Sequence, residues 1–179
     1  MLSLVIGGAR SGKSRFAESL GANSRRVAYV ATARCEDAEM SARIACHRRR
    51  RPAHWLTIEA PLEIGVAVEQ HAAACDLLLL DCLTLWLSNF CWEHRSLREE
   101  DLHAAALGEV ARVIGAADSA RVVVVTNEIG CGLVPESALG RFFRDLQGWV
   151  NQDIARAADW VYHVVAGIAV AIKKPEGCQ

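Results

Sequence analysis

A glycine-rich turn that carries one lysine and one hydroxyl is built to hold polyphosphate, and residues 7–14 read Gly7-Gly8-Ala9-Arg10-Ser11-Gly12-Lys13-Ser14. This is the G-x-x-x-x-G-K-[ST] spacing. The glycines let successive backbone N–H groups curl around an anion, Lys13 neutralises charge on the β- and γ-phosphates, and the Ser14 hydroxyl can join a Mg²⁺ ion. An apolar run at residues 2–6 precedes the turn and helical spacing follows it, so the positive end of a helix dipole meets the same anion. A metal site of this kind also needs a carboxylate at the end of a buried strand. Asp81, after the apolar run 77–80, holds that place, its competing role being the N-cap of the segment that follows.

A second group of residues bears on the same ligand. Residues 36–51 can be helical, and Met40, Ile44, His47 and Arg51 then share one face at spacings of four, three and four. An imidazole on a stripe with Met40 and Ile44 is by itself a packed histidine. What argues otherwise is the run Arg48, Arg49, Arg50 and Arg51, a poor setting for a structural imidazole. A lone charge run is usually a solvated face or an RNA patch; beside a phosphate cradle it suits a triphosphate. A neutral imidazole can attack an α-phosphorus while cations stabilise the departing pyrophosphate. The same positive charge disfavours protonation of the ring and leaves it nucleophilic near neutral pH.

These residues need elements to position them. Apolar runs at residues 2–6, 27–31, 77–80, 122–126 and 160–165, several of them rich in valine, read as buried strands. Between them lie segments of helical spacing, such as Leu102, Leu107, Val110 and Ile114, then Leu139, Phe142, Phe143, Leu146 and Val150. The alternation predicts an α/β fold of the P-loop NTPase type, a mostly parallel sheet with helices on both faces and ligands at the carboxyl ends of the strands. With 179 residues, 52% of them hydrophobic, and no linker or repeat, one domain spanning 1–179 is expected. A net charge of −1 argues against a general nucleic-acid binder. The seven cysteines contain no CxxC pair, the first apolar run is too short for a signal peptide, and no run is long enough for a membrane span. These features lead us to expect a reduced, soluble, cytoplasmic protein.

Several pieces together resemble one family, the bifunctional adenosylcobinamide kinase and adenosylcobinamide-phosphate guanylyltransferase of cobalamin nucleotide-loop assembly. They are the cradle with Arg15, then Tyr29-Val30-Ala31-Thr32-Ala33, then Glu39-Met40 and Arg43-Ile44 followed by His47, and Arg51-Pro52-Ala53-His54-Trp55. Downstream come Asp81-Cys82-Leu83-Thr84 with Asn89, Thr126-Asn127-Glu128-Ile129-Gly130 with Val134-Pro135-Glu136, Phe143-Arg144-Asp145, Asn151-Gln152 and the segment 167–173. The resemblance implies phosphorylation of the hydroxyl on the aminopropanol arm of adenosylcobinamide by ATP or GTP, then transfer of GMP from GTP onto that phosphate. It implies a histidine that carries GMP, matched here by His47, with His54 the second candidate. It also implies nucleotide contacts at the cradle, Ala31, Thr32, Ala33, the four arginines, Glu59 and Asp81, Mg²⁺ held by Ser14 and Asp81, and a homotrimer. A carboxylate in the base pocket would accept the N1 and N2 hydrogens of guanine, and the sequence alone does not choose which carboxylate does so.

Other readings stay open at this level. Asn127 and Glu128 follow a strand at the ligand edge of the sheet, where substrate contact and a local turn are equally served. The segment 83–92 suits a subunit contact or a plain core. His71, His94, His103 and His163 lack metal spacing, so no protein-bound zinc is expected. A P-loop kinase without a covalent intermediate and a nucleotide-gated RNA-binding module are the alternative functions.

Overall fold

Branched aliphatic runs that bury both faces build the centre of the sheet, because a parallel strand covered by helices on either side has no polar face. A computed structural model describes residues 1–35 and 37–177, with the side chains of positions 39 and 43 left out of the description. Glu36, Cys178 and Gln179, and the Glu39 and Arg43 side chains of the matched motifs, lie outside the described residues. The strands are β1 (Leu2–Gly7), β2 (Val27–Ala31), β3 (Leu56–Glu59), β4 (Leu77–Asp81), β5 (Arg121–Asn127), β6 (Trp160–Val165) and β7 (Ile168–Lys173). The helices are α1 (Lys13–Leu20), α2 (Ala38–Arg50), α3 (Ile64–Ala72), α4 (Leu83–Glu93), α5 (Glu99–Gly115) and α6 (Ala138–Ala157).

The sheet order is β3-β2-β4-β5-β1-β6-β7. Every neighbouring pair from β3 to β6 is parallel, and only β7 pairs antiparallel, with β6. One face packs on α3, α4, α5 and α6 through Ile64, Val68, Leu83, Trp86, Leu102, Val110, Leu146 and Ile154. The other packs on α1 and Trp55 through Val5, Ala17, Tyr29, Leu79, Val123 and Val164. The segment 83–92 is chiefly core: Leu83, Trp86, Leu87 and Phe90 are buried, and Trp92 at its end is exposed. β3 and β7 were not among the expected strands. β3 has only four residues and no fully buried one, and β7 keeps Ile168, Val170 and Ile172 at the surface, so neither shows a buried run.

Two local features bear on the site. The β6–β7 hairpin turns on Ala166 (φ 51) and Gly167 (φ 84), both left-handed, as a two-residue turn matched to strand twist requires. Helix α2 starts at Asp37, whose side chain accepts from Met40 N at 2.7 Å, and ends in His47, Arg48, Arg49 and Arg50, cations that suit the negative end of its dipole. None of its described residues is buried.

Candidate nucleotide site

Strand register assembles the site. Parallel pairing sets Glu59 opposite Ala31, Ala31 opposite Asp81, and Asp81 opposite Val125, so the ends of β3, β2, β4 and β5 form one transverse row. Two residues beyond Val125, Asn127 pairs with Gly7, where the cradle begins. Carboxylates from two separate chain segments, Glu59 and Asp81, and the phosphate loop thus reach a single edge of the sheet.

The cradle is a strained loop held from behind by the hairpin. Gly12 takes φ 99 and Arg10 φ 56, left-handed values that turn successive N–H groups the same way. Gly167 N donates to Ser11 O at 2.7 Å, and a Cβ on Gly12 would lie 3.1 Å from Gly167 Cα. A Cβ on Gly7 would lie 2.3 Å from Val164 O, a backbone atom of β6 that can move only with its strand. We therefore expect Gly7→Ala to lower stability by about 1–3 kcal/mol and to weaken triphosphate binding as the loop is pushed off the hairpin. Thermal unfolding together with calorimetric GTP titration checks this, and an unchanged melting temperature would show that the contact yields. Inside the loop Lys13 Nζ donates to Gly8 O at 2.6 Å, and Ser11 Oγ is buried with no hydrogen-bond partner among the described residues. An unsatisfied hydroxyl in a glycine-lysine turn suits an anion's oxygens.

Two cavities open along the edge and share a wall. The larger, about 820 Å³, is lined by the cradle from Ala9 to Arg15, by His47 and Arg50 from α2, and by Asp81 and Asn127. The second, about 300 Å³, is lined by Tyr29, Ala31, Ala33, Met40, Ile44, His47, Arg48, Arg51, Glu59 and Asp81. Ser14, His47, Asp81, Cys82 and Leu85 belong to both. Helix α2 spans Ala38–Arg50, shorter than the expected 36–51; Met40, Ile44 and His47 on it, and Arg51, the extended residue that caps it, all line the cleft instead of entering the core. A chain of net charge −1 thereby gathers Arg10, Lys13, Arg15, Arg48, Arg50 and Arg51 around one groove, the local field a triphosphate needs.

The arginines divide their work. Arg50 Nη2 lies 3.3 Å from His47 Nδ1 and 3.2 Å from Glu18 Oε1. Since a guanidinium only donates, that contact makes Nδ1 the accepting nitrogen of the ring. Arg48 forms an ion pair with Glu59, and Arg51 stacks over the Tyr29 ring with Cζ 3.4 Å from its centroid. Arg49 is exposed and lines neither cavity; His54 is likewise exposed and outside both. Thr32 is fully buried and exchanges hydrogen bonds with the Cys82 backbone, donating to Cys82 O at 2.8 Å and accepting from Cys82 N at 2.9 Å. The strand end is held in this way, and the Thr32 side chain lines neither cavity.

Asp81 accepts from the Tyr29 hydroxyl at 2.5 Å and lines both cavities; the N-cap of α4 is Cys82, whose Sγ accepts from Leu85 N at 3.4 Å. Burial pushes the Cys82 thiol up to about 12, so this cleft cysteine stays protonated and is no rival nucleophile at neutral pH. No cluster of three or more metal-binding side chains exists among the described residues. The Ser14 hydroxyl and Asp81 carboxylate on one cavity wall are hard oxygen donors, and Mg²⁺ takes few protein ligands, completing its shell with phosphate and water. The donor set fits that ion.

Sequence reasoning gave no role to Tyr29, Leu85, Val125 or Gly167, all of which touch the cleft. A hydroxyl in the middle of the otherwise apolar run 27–31 was the available signal for Tyr29. Asn127 lines the phosphate cavity, whereas Glu128 turns back to accept from Gly130 N at 2.6 Å. Behind Asn127, the buried side chains of Thr126, Gln147 and Asn151 are hydrogen-bonded together, and Asn151 donates to Asn127 O at 3.1 Å.

A mainly parallel sheet that turns a lysine-bearing glycine loop onto a cation-lined cleft defines a P-loop nucleotide-binding protein. More narrowly, the chain belongs to the cobinamide kinase / cobinamide phosphate guanyltransferase family, CobU, whose family model matches residues 3–172, and it is an enzyme of that kind in cobalamin biosynthesis. It is 42% identical over 181 residues to the bifunctional adenosylcobalamin biosynthesis protein CobU of Escherichia coli (strain K12), covering 97% of this chain and 100% of that protein. Against CobP of Pseudomonas aeruginosa (strain PAO1), described in the same words, identity is 44% over 177 residues, 97% of this chain and 98% of that one. CobU of Salmonella typhimurium (strain LT2) is 42% identical over 186 residues, 97% and 100% of the two chains. Among solved structures, the P4 protein of bacteriophage phi6 in complex with ADP aligns at TM-score 0.44 and 11% identity, over 98% of this chain and 56% of that one. No helix among the described residues is long and apolar enough to cross a membrane.

Proposed function

We propose that the protein phosphorylates adenosylcobinamide with ATP or GTP and then guanylylates the phosphate through a GMP–histidine intermediate on His47. The observation that carries this reading is that His47 and the Lys13–Ser14 end of the cradle line one cavity. In the first step the cradle and Lys13 hold the β- and γ-phosphates while the aminopropanol hydroxyl attacks the γ-phosphorus and the nucleoside diphosphate leaves. Ser14 and Asp81 would hold Mg²⁺, which supplies charge neutralisation at those phosphates. In the second, the His47 ring nitrogen attacks the α-phosphorus of GTP, the bond to the β-phosphate oxygen breaks, and pyrophosphate leaves among the arginines. An oxygen of adenosylcobinamide phosphate then attacks the same phosphorus and the imidazole departs, giving adenosylcobinamide-GDP.

Arg50 arms the ring in this scheme. The nitrogen lone pair it holds at rest is the one that must attack, and movement of Arg50 onto the triphosphate releases it. Glu59 is the guanine reader: its carboxylate accepts from the Arg48 guanidinium, and it can equally accept the paired N1 and N2 hydrogens that guanine presents and adenine lacks. Arg51, Ala31 and Ala33 complete the base end, and Gly8, Ala9, Arg10, Ser11 and Gly12 the phosphate end. We assign the enzyme to the cytoplasm and to a homotrimer, for which the exposed row Ile168, Val170 and Ile172 on β7 supplies a surface worth covering.

Incubation with adenosylcobinamide, Mg²⁺ and GTP labelled at the α or γ position tests the two steps. The reading expects γ label on the corrinoid phosphate and α label on both protein and the final product. Transfer of γ label alone, with no α label on protein or corrinoid, would reduce the enzyme to a simple kinase.

A further inference from the structure

Tyr29 occupies an expensive position for a hydroxyl. It sits in the middle of β2 between Ala28 and Val30, is 1% exposed, and packs in the core with Val27, Leu77 and Leu79. Phenylalanine would fill that volume without a polar atom to satisfy. The register explains where the hydroxyl goes: Tyr29 pairs with Leu79 and Ala31 with Asp81, so the Tyr29 and Asp81 side chains lie on the same sheet face, one pleat apart on adjacent strands. The hydroxyl donates to Asp81 Oδ2 at 2.5 Å. The other side of the ring meets Arg51, the residue that caps the C-terminus of α2, whose guanidinium lies 3.4 Å from the ring centroid and reaches Thr57 Oγ1 at 3.4 Å. Tyr29 therefore touches the end of the helix that bears His47 and the carboxylate that faces the cradle.

We infer that Tyr29 is a positioning residue serving both half-reactions, its hydroxyl aiming Asp81 at the metal and its ring seating the C-terminal end of α2 through Arg51. The inference rests on the function proposed above. With Oδ2 held by Tyr29, the Asp81 carboxylate on the cavity wall is restrained, and its remaining oxygen would be the one to hold Mg²⁺. A flat ring under a flat guanidinium holds Arg51 against a rigid strand, while α2 itself buries none of its described residues and is otherwise tethered through the Arg48–Glu59 and Arg50–Glu18 ion pairs. The two functions of Tyr29 are carried by different atoms and separate by substitution.

Tyr29→Phe keeps the ring and removes the hydroxyl. It should raise the Mg²⁺ concentration for half-maximal GTP binding, read by calorimetry, about tenfold, while the rate of α-label uptake at saturating Mg²⁺ stays within about twofold. Tyr29→Leu removes both, and should show the same Mg²⁺ shift plus a fall in label uptake of about tenfold or more that saturating Mg²⁺ does not restore. An unchanged Mg²⁺ requirement in the phenylalanine variant overturns the proposal, as does a leucine variant that labels as fast as the phenylalanine one. Should the leucine variant unfold, the phenylalanine variant still decides, since it conserves the core volume. A wild-type protein that takes up no α label refutes the histidine intermediate instead, and the Mg²⁺ dependence of GTP binding still tests the hydroxyl.

Discussion

A His47→Ala variant should accumulate no acid-labile, base-stable label from α-labelled GTP, its guanylyl transfer falling at least about 10³-fold, while phosphorylation of the corrinoid hydroxyl continues. Removing a covalent nucleophile removes the step itself, and what survives is the contribution of charge and binding around it. The surviving kinase activity is the sharper half of the expectation. His47 borders the phosphate cavity through α2, but in the proposed scheme the γ-phosphoryl group is held by the cradle, by Lys13 and by the Ser14–Asp81 metal pair, none of which the substitution removes. Measurement of protein-bound α label and of γ-label transfer on the same preparation decides it. Full labelling of the variant would move the nucleophile to another side chain, His54 being the first to substitute next.

Lys13→Ala should affect both reactions. Lys13 is 7% exposed at the mouth of α1, its ammonium already turned into the loop toward Gly8 O. Loss of one preorganised cation at developing phosphate charge costs about 10²–10³ in rate, and the same cation holds the triphosphate for guanylylation. We expect phosphoryl transfer to fall by that factor and α-label uptake to fall with it at sub-saturating GTP. Arginine should not rescue: a planar fork does not fit a loop packed so closely on the hairpin that a Cβ added at Gly12 would lie 3.1 Å from Gly167 Cα. The two variants thus differ in kind, one deleting a single chemical step and the other weakening the shared substrate. Wild-type phosphoryl transfer by Lys13→Ala would remove the cradle from the mechanism.

The central fold was legible because four strands bury nearly everything they carry. Leu77, Leu78, Leu79 and Leu80 have no polar face, nor do Val122, Val123, Val124 and Val125, and such runs admit little else between helical segments. The edge strands were opaque for the opposite reason: β3 and the outer face of β7 meet solvent, so composition there does not report pairing. The cradle was legible residue by residue, since its chemistry requires contiguous glycines and a lysine. Other parts of the site arise from register. Nothing in the sequence says that Glu59, Ala31, Asp81 and Val125 stand side by side, because that row exists only after β3, β2, β4 and β5 pair. The arginine run shows the limit of a motif. Four consecutive cations look equivalent on paper, yet helical rotation sends Arg48 to Glu59, Arg50 to His47 and Glu18, Arg51 onto Tyr29, and Arg49 away from both cavities.

The hairpin that braces the cradle has a consequence for how the protein is made. The cradle leaves the ribosome well before the hairpin does: the backbone atoms that fix Gly7, Ser11 and Gly12 belong to Val164 and Gly167, about 150 residues further along the chain. Because synthesis is vectorial and β1 needs β5 and β6 on its two sides, a nascent chain lacking the hairpin exposes a glycine loop with no fixed shape. Competence to hold a nucleotide should therefore arrive abruptly and late in translation, and fragments halted before residue 167 should bind GTP no better than unfolded chain.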